Sequence, residues 1–193
     1  MEIEKIKRNL KTKHLGRNIA YFEMIESTQA KAKELAAQKI QTGTIVVTEK
    51  QTKGIGTHGR QWIAEENSNI LMTLIIYPEC NIAKLEGMTI DIAECLVDVF
   101  QELHGIAVKV KEPNDLIINN KKLGGILTET ILEKEVVKNL FIGIGININQ
   151  EEFPKELMDI ATSLKKETNK TFIREEIIAE FLNRFEEILN SKL

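Results

Sequence analysis

The segment Gly54-Ile55-Gly56-Thr57-His58-Gly59-Arg60-Gln61-Trp62 spaces its glycines as G-x-G-x-x-G. In a dinucleotide-binding unit that pattern follows a strand and opens a helix. Here the β-branched run Thr44 to Thr48 precedes the loop, but the next regular element, Ile70 to Tyr77, is another strand, halted by Pro78. The strand-then-helix context is missing, so a doubly wound parallel sheet is ruled out. A Walker A loop is ruled out too, because no G-x-x-x-x-G-K-[ST] occurs in the chain. What the loop keeps is chemistry. Glycines at 54, 56 and 59 let backbone N–H groups turn toward an anion without obstruction by Cβ atoms. Arg60 adds a cation, and Trp62, the single Trp, offers a face for a base. The same residues also suit a plain flexible connection.

On the N-terminal side, Ile19 to Ile25 is β-like, and Ser27-Thr28 offers an N-cap for a helix through Lys39. Residues 1 to 18 set Ile3, Ile6 and Leu10 at helical spacing among Lys5, Lys7, Arg8, Lys11, Lys13 and Arg17. This predicts a short amphipathic lead-in helix with a solvated basic face. On the C-terminal side, Leu85, Met88, Ile92, Leu96, Val97, Phe100 and Leu103 recur at three and four residues. They predict one long helix from about Ile82 to His104, ended by Gly105. Short strands follow: Ala107 to Lys111, Leu116 to Ile118 and Ile126 to Thr130 around the turn Asn119-Asn120-Lys121-Lys122, then Leu140 to Ile148. Ile173 to Leu189 reads as a closing helix capped near Thr171. The order predicts an α+β chain, a single domain over 1–193 with a mixed β-sheet packed with α-helices.

Composition narrows the function. The 193 residues are 42% hydrophobic, enough for a real core. Lys+Arg 26 against Asp+Glu 29 leaves a formal charge of -3, so no global basic field points to nucleic acid or an anionic membrane. Cys80 and Cys95 are too few for a disulfide framework and stand in no CxxC or Cys/His zinc spacing, which predicts a reducing, cytoplasmic setting. No apolar run approaches the length of a membrane span, and Met1-Glu2-Ile3-Glu4-Lys5 lacks the apolar core of a signal peptide. His14, His58 and His104 are scattered, and no metal-ligand or Ser-His-Asp motif marks a metal centre or nucleophile.

Beside the glycine loop, three other segments combine Gly, Asn or Lys with strand-like residues. Glu26-Ser27-Thr28-Gln29 is the first. The second pairs Lys111-Glu112-Pro113-Asn114-Asp115, which also reads as an Asn-Asp turn, with Lys122-Leu123-Gly124-Gly125-Ile126-Leu127-Thr128-Glu129. Paired glycines entering a strand weaken it unless a ligand or another backbone passes close by, although a hairpin exit would also account for them. In the third, Gly143-Ile144-Gly145-Ile146-Asn147-Ile148-Asn149, alternation puts Gly and Asn on one face and three isoleucines on the other. One face is core; the other is bare enough to accommodate a ligand.

Taken together and in this order, the four segments resemble the catalytic domain of biotin protein ligases. That family carries Ser-Thr-Asn/Gln, then Gln and a G-R-G-R-x-G-R-x-W loop, then K-W-P-N-D, K-L-x-G-I-L-x-E and G-x-G-I-N. The resemblance covers nearly the whole chain and implies a class II aminoacyl-tRNA synthetase-like fold. It also implies a two-step reaction. The biotin carboxylate attacks the α-phosphate of MgATP to give biotinyl-AMP and pyrophosphate, and a lysine of an apo biotin carboxyl carrier protein then takes the biotinyl group and releases AMP. Carried over residue by residue, Lys122 meets both the biotin carboxylate and the α-phosphate. Ser27, Thr28 and Gln51 hydrogen-bond the ureido ring, while Gly54, Gly124, Gly125, Gly143 and Gly145 lie against biotin or shape its slot. Arg60 is the cation for the ATP phosphates, Trp62 packs over the adenine side, and Asn114 and Asn147 contact the nucleotide. Asp115 is the expected helper for metal binding or for the proton of the incoming lysine. Mg²⁺ is expected with ATP and no separate metal site is expected. Family members often pair as homodimers through the catalytic sheet.

Departures from the family pattern set the alternatives. Ile55 and Thr57 replace two loop arginines, and Glu112 replaces the Trp of K-W-P-N-D. The first missing arginine ordinarily contacts biotin and the second helps retain the adenylate, so a leaky or weakened activity is expected, with His58 a weak substitute. The residues before Ile19 are too few for the winged DNA-binding domain of some members, which disfavours a repressor role, and the chain stops soon after Leu189, short of the small β-barrel that usually follows. A noncatalytic biotin or biotinyl-AMP binding module stays open as a second reading. A lipoate or octanoate ligase is a third, although its R-R-x-x-G-G-G pattern is not present.

Overall fold

The computed structural model describes residues 1–193. In chain order the helices and strands are α1 (Ile3–Asn9), β1 (Ile19–Ile25), α2 (Thr28–Ala37), β2 (Ile45–Gln51), β3 (Ile70–Ile76), β4 (Cys80–Asn81), α3 (Met88–His104), β5 (Lys109–Lys111), β6 (Asp115–Ile118), β7 (Lys121–Glu133), β8 (Val136–Ile146), α4 (Leu164–Thr168) and α5 (Arg174–Lys192). The strands form one sheet in the order β1-β2-β3-β8-β7-β6-β5, with β4 added beside β8. Only β1 and β2 run parallel; the other pairs are antiparallel. The expected α+β class with a mixed sheet is what the chain adopts. No helix is long and apolar enough to cross a membrane.

The two faces of the sheet are covered unequally. On one, α3 and α5 bury Phe100, Phe181 and Phe185 against Ile142, Ile144 and Ile146 of β8. On the other, the short helix α2 lays Ala32 and Ala36 over Val46, Ile75 and Phe141 and stops there. Register carries this face further along the sheet: Thr73, Gly143 and Leu127 lie side by side on β3, β8 and β7, and Leu71, Gly145 and Gly125 form the next row. The isoleucines and glycines of β8 therefore divide as the alternation predicts, apolar side chains to the helices and bare backbone to the open face. Gly124 differs from its expected place. It pairs with Ile146 and belongs to the helix-covered side, where a Cβ would come within 2.9 Å of the Gly145 carbonyl oxygen.

Several boundaries differ from the sequence reading. The expected helix from Ile82 to His104 is broken: a 3-10 turn covers Ile82–Leu85, and Gly87 at φ 76 separates it from α3. Leu85 keeps the apolar spacing, which periodicity alone cannot distinguish from a continuous helix. The lead-in helix ends at Asn9, and α5 begins after Ile173 with no side-chain cap, not at Thr171. β7 and β8 are longer than expected because they form a hairpin through Lys134 and Glu135, where Lys134 takes φ 58 with no glycine to announce it.

Two buried acids tie distant segments together. Glu49 of β2 accepts from Arg174 Nη1 at 2.6 Å and ion-pairs with the terminal amine of Met1. Burial pushes the Glu49 carboxyl up, but hydrogen bonds from Arg174 and the amine outweigh it and hold the group below its usual range. Glu186 of α5 accepts the backbone N–H groups of Lys13, His14 and Leu15 at 2.6 to 2.8 Å. Burial opposes these bonds at Glu186 as well, and the net result is again a lowered pKa.

Candidate functional site

The trough left open beyond α2 is a cleft of about 460 Å³. Its closed end is polar and comes from the first turn of α2. Ser27 caps the helix with extended backbone, its Oγ 3.5 Å from the Ala30 N–H, as the Ser-Thr pair predicts. Thr28 donates its backbone N–H to Gln51 Oε1 at 2.8 Å. Thr73 Oγ1, from the middle of the otherwise apolar β3, lies 2.9 Å from Thr28 Oγ1 and 3.0 Å from Gln29 Oε1. The floor is Gly143, where a Cβ would stand 2.8 Å from Gln29 Oε1.

The other end of the cleft is governed by Lys122. Its ammonium donates to Asp115 Oδ1 at 2.6 Å and stands 5.7 Å from the centroid of the Trp62 ring. Trp62 in turn lies on Gly145, where a Cβ would come 2.7 Å from Cε2 of the indole. Glycine at 145 is what lets this ring approach. The Trp62 Nε1–H is buried there without a hydrogen-bond partner.

A second cleft, about 740 Å³, opens on the far side of Trp62 and Lys122, and both residues line both clefts. Arg60 and Asn147 line it together with Phe153, Leu157, Ile160 and Ala161, the apolar wall that forms its roof. The roof is attached to the lysine itself: Lys122 donates its backbone N–H to Ile160 and accepts from Thr162 N–H, at 2.8 and 2.9 Å. Asn147 Nδ2 donates to the Thr162 carbonyl at 3.0 Å, and its Oδ1 is buried with no partner.

The structure gathers Ser27, Thr28, Gln51, Gly125, Gly143 and Lys122 around the first cleft and Arg60, Trp62, Lys122 and Asn147 around the second. Asn114, expected on the nucleotide side, lines the first cleft and donates Nδ2 to the Ile126 carbonyl at 3.1 Å. Gly54 sits in the neck of the loop, where Trp62 N–H donates to its carbonyl at 2.9 Å and a Cβ would stand 2.6 Å from the Trp62 carbonyl oxygen. The glycine loop is also less open than expected. Gly56 N–H donates back to Arg60 at 2.7 Å, and the left-handed positions are His58 and Gly59.

Comparison with known proteins shows the family. Residues 21–147 match the biotin/lipoate A/B protein ligase family. The chain belongs to that family. It is 40% identical over 183 residues to the bifunctional ligase/repressor BirA of Bacillus subtilis, covering 94% of this chain and 56% of that protein. Among solved structures it is similar to the biotin protein ligase of Aquifex aeolicus in complex with biotin and ATP, at 31% identity and a TM-score of 0.77, covering 91% of this chain and 71% of the other. It also resembles the Leishmania major ligase in complex with biotinyl-5-AMP, at 26% identity and a TM-score of 0.76, covering 91% and 76%. The chain spans about half the length of the curated relative it matches.

Within this biotin/lipoate ligase family member, sequence reasoning assigned no role to Gln29, Thr73 or Glu129, or to the roof residues 153–161. Gln29 and Glu129 lie within the Gly-, Asn- and Lys-bearing segments 26–29 and 122–129, and Thr73 interrupts the run Ile-Leu-Met-Thr-Leu-Ile-Ile. A polar residue in the middle of a buried strand is a signal that was available. The roof carries no such mark, because its apolar residues reach the second cleft only once the chain folds back to pair with Lys122.

Proposed function

We propose that the chain activates biotin with ATP as biotinyl-5′-AMP, releasing pyrophosphate, and then transfers the biotinyl group to a lysine of a biotin carboxyl carrier protein, releasing AMP. The observation that carries this reading is Lys122, a cation placed at the wall between two clefts of different chemistry. The first cleft ends in hydroxyl and amide groups suited to a ureido ring. The second offers Arg60 for phosphates and, in Asn147 Oδ1, a buried acceptor without a partner for an N–H of the base.

Bringing a carboxylate to a phosphate opposes two anions, and a preoriented cation between them lowers that barrier. Asp115 holds the Lys122 ammonium in place and is the acceptor we assign for the proton of the incoming carrier lysine. Trp62 lies across the junction and shields the anhydride from water. Mg²⁺ would be carried into the second cleft with the triphosphate. The buried free thiols of Cys80 and Cys95 accord with a reducing cytoplasm.

One observation favours a second reading, a binding module without chemistry. Ile55, 53% exposed, lines the first cleft where the family pattern carries an arginine, and Thr57, likewise in an arginine's place, is uncharged. Mass spectrometry of an apo carrier domain mixed with the chain, biotin and MgATP separates the two. A gain of one biotin with the native chain and none with Lys122→Ala supports the ligase. Biotin binding without pyrophosphate, adenylate or modified carrier supports the module.

A further inference from the structure

Glu129 takes no part in the reaction outlined above, yet it grips the closed end of the first cleft from outside. Its carboxylate accepts from Gln29 Nε2 at 2.8 Å and from Lys33 Nζ at 2.9 Å. A carboxylate only accepts, so Gln29 must turn its NH₂ toward Glu129 and its Oε1 inward, 3.0 Å from Thr73 Oγ1. Thr73 has one hydroxyl proton, and Gln29 Oε1 takes it. The Thr73 oxygen is then an acceptor, 2.9 Å from Thr28 Oγ1, so the Thr28 hydroxyl donates to Thr73. Three oxygen–oxygen contacts share two hydroxyl protons, and the contact left without one is the longest, Thr28 Oγ1 to Gln51 Oε1 at 3.2 Å, whose carbonyl oxygen already accepts the Thr28 backbone N–H. Gln51 Oε1 already receives the Thr28 backbone N–H, which leaves Gln51 Nε2 as the free end of that side chain. The closed end therefore presents an acceptor at Thr28 Oγ1 and a donor at Gln51 Nε2.

We propose that Glu129 is a positioning residue that fixes, through Gln29 and Thr73, the donor and acceptor polarity of this end of the cleft, matching it to rings that carry N–H beside C=O. The inference rests on the biotin reading of the cleft, since a cyclic urea gives an N–H to Thr28 and takes one from Gln51. Glu129→Gln keeps the shape but removes the constraint. Its amide oxygen turns to the Lys33 ammonium and its NH₂ to Gln29, which reverses the chain of bonds.

Titration calorimetry of the full chain with biotin, desthiobiotin and ATP tests this, using the wild type, E129Q, T73V and the double variant. E129Q should weaken biotin and desthiobiotin, which share the cyclic urea, by the same factor of about 10 to 100, through mispaired buried groups. ATP binding should not change. In the T73V background E129Q should add nothing, because the relay is already cut. E129A, which also removes the acceptor, should move the same two ligands. Wild-type biotin affinity in E129Q, a parallel loss of ATP binding, or additivity with T73V would overturn the inference. A wild-type chain that binds no biotin would instead overturn the function proposed above, and the relay with it.

Discussion

Replacing Gly145 by Ala tests the site with one methyl group. A Cβ at 145 would lie 2.7, 2.9 and 3.0 Å from Cε2, Cζ2 and Nε1 of Trp62. Carbon pairs settle at roughly 3.5 to 4.0 Å, so the indole must retreat by about 1 Å. The ring is half-buried on an exposed loop, whereas Gly145 is paired on both sides within the sheet, so the ring yields. The stability cost should then fall at the low end for overpacking, about 1 kcal/mol, or about 2 to 4 °C in Tm for a chain of this size. Function should suffer more. Trp62 carries the Lys122 ammonium over its face and separates the two clefts, and a 1 Å misplacement at a reacting centre costs on the order of 100-fold in kcat/KM. Pyrophosphate release measures the rate, and because Trp62 is the only Trp, its emission reports the ring directly. An unshifted emission with wild-type kcat/KM for adenylate formation would refute the reasoning.

Other outcomes follow from the same geometry. Ile55→Arg, at an exposed position, should slow the escape of biotinyl-AMP by roughly 10- to 100-fold, the range of charged hydrogen bonds, as read by filter-binding off-rates. Arg174→Met should leave Glu49 buried without its main partner and lower stability by about 3 to 5 kcal/mol in urea melts. Stability should fall on acidification. Glu49 and Glu186 have folded pKa values below their usual 4.5, so their contribution is full above that pH and is lost as pH falls through the lowered values. Glu186→Gln should flatten part of this acid limb in melts taken between pH 6 and pH 3, and an unchanged slope would count against the assignment.

Much of this was legible because the relevant signals are local. β1 begins and ends where its apolar run does, Ser27 caps α2, and the alternation of β8 shows which face is bare. The breaks at Gly87 and Lys134 were not legible, since one hides inside a correct apolar spacing and the other uses a left-handed lysine without turn chemistry. Within the site, motif order pointed to Lys122, Thr28 and Gln51, but not to how they are held. Gln29 meets Glu129 across 100 positions, and Asn114 faces the first cleft because its side chain bonds to Ile126 on β7. Such pairings exist only once the sheet has set its register, so no window of sequence contains them.

The roof over the second cleft and the lysine between the clefts are joined by two backbone hydrogen bonds, a short parallel bridge between Lys122 and Ala161. A molecule that presses on Ile160 from within the second cleft therefore also presses on the strand that aims the ammonium into the first. Any coupling that this bridge transmits between the two clefts would be reciprocal, the same in binding free energy whichever cleft is filled first. Both hydrogen bonds are made by main-chain atoms, so a side-chain substitution at Lys122, Ile160 or Thr162 leaves their donors and acceptors in place.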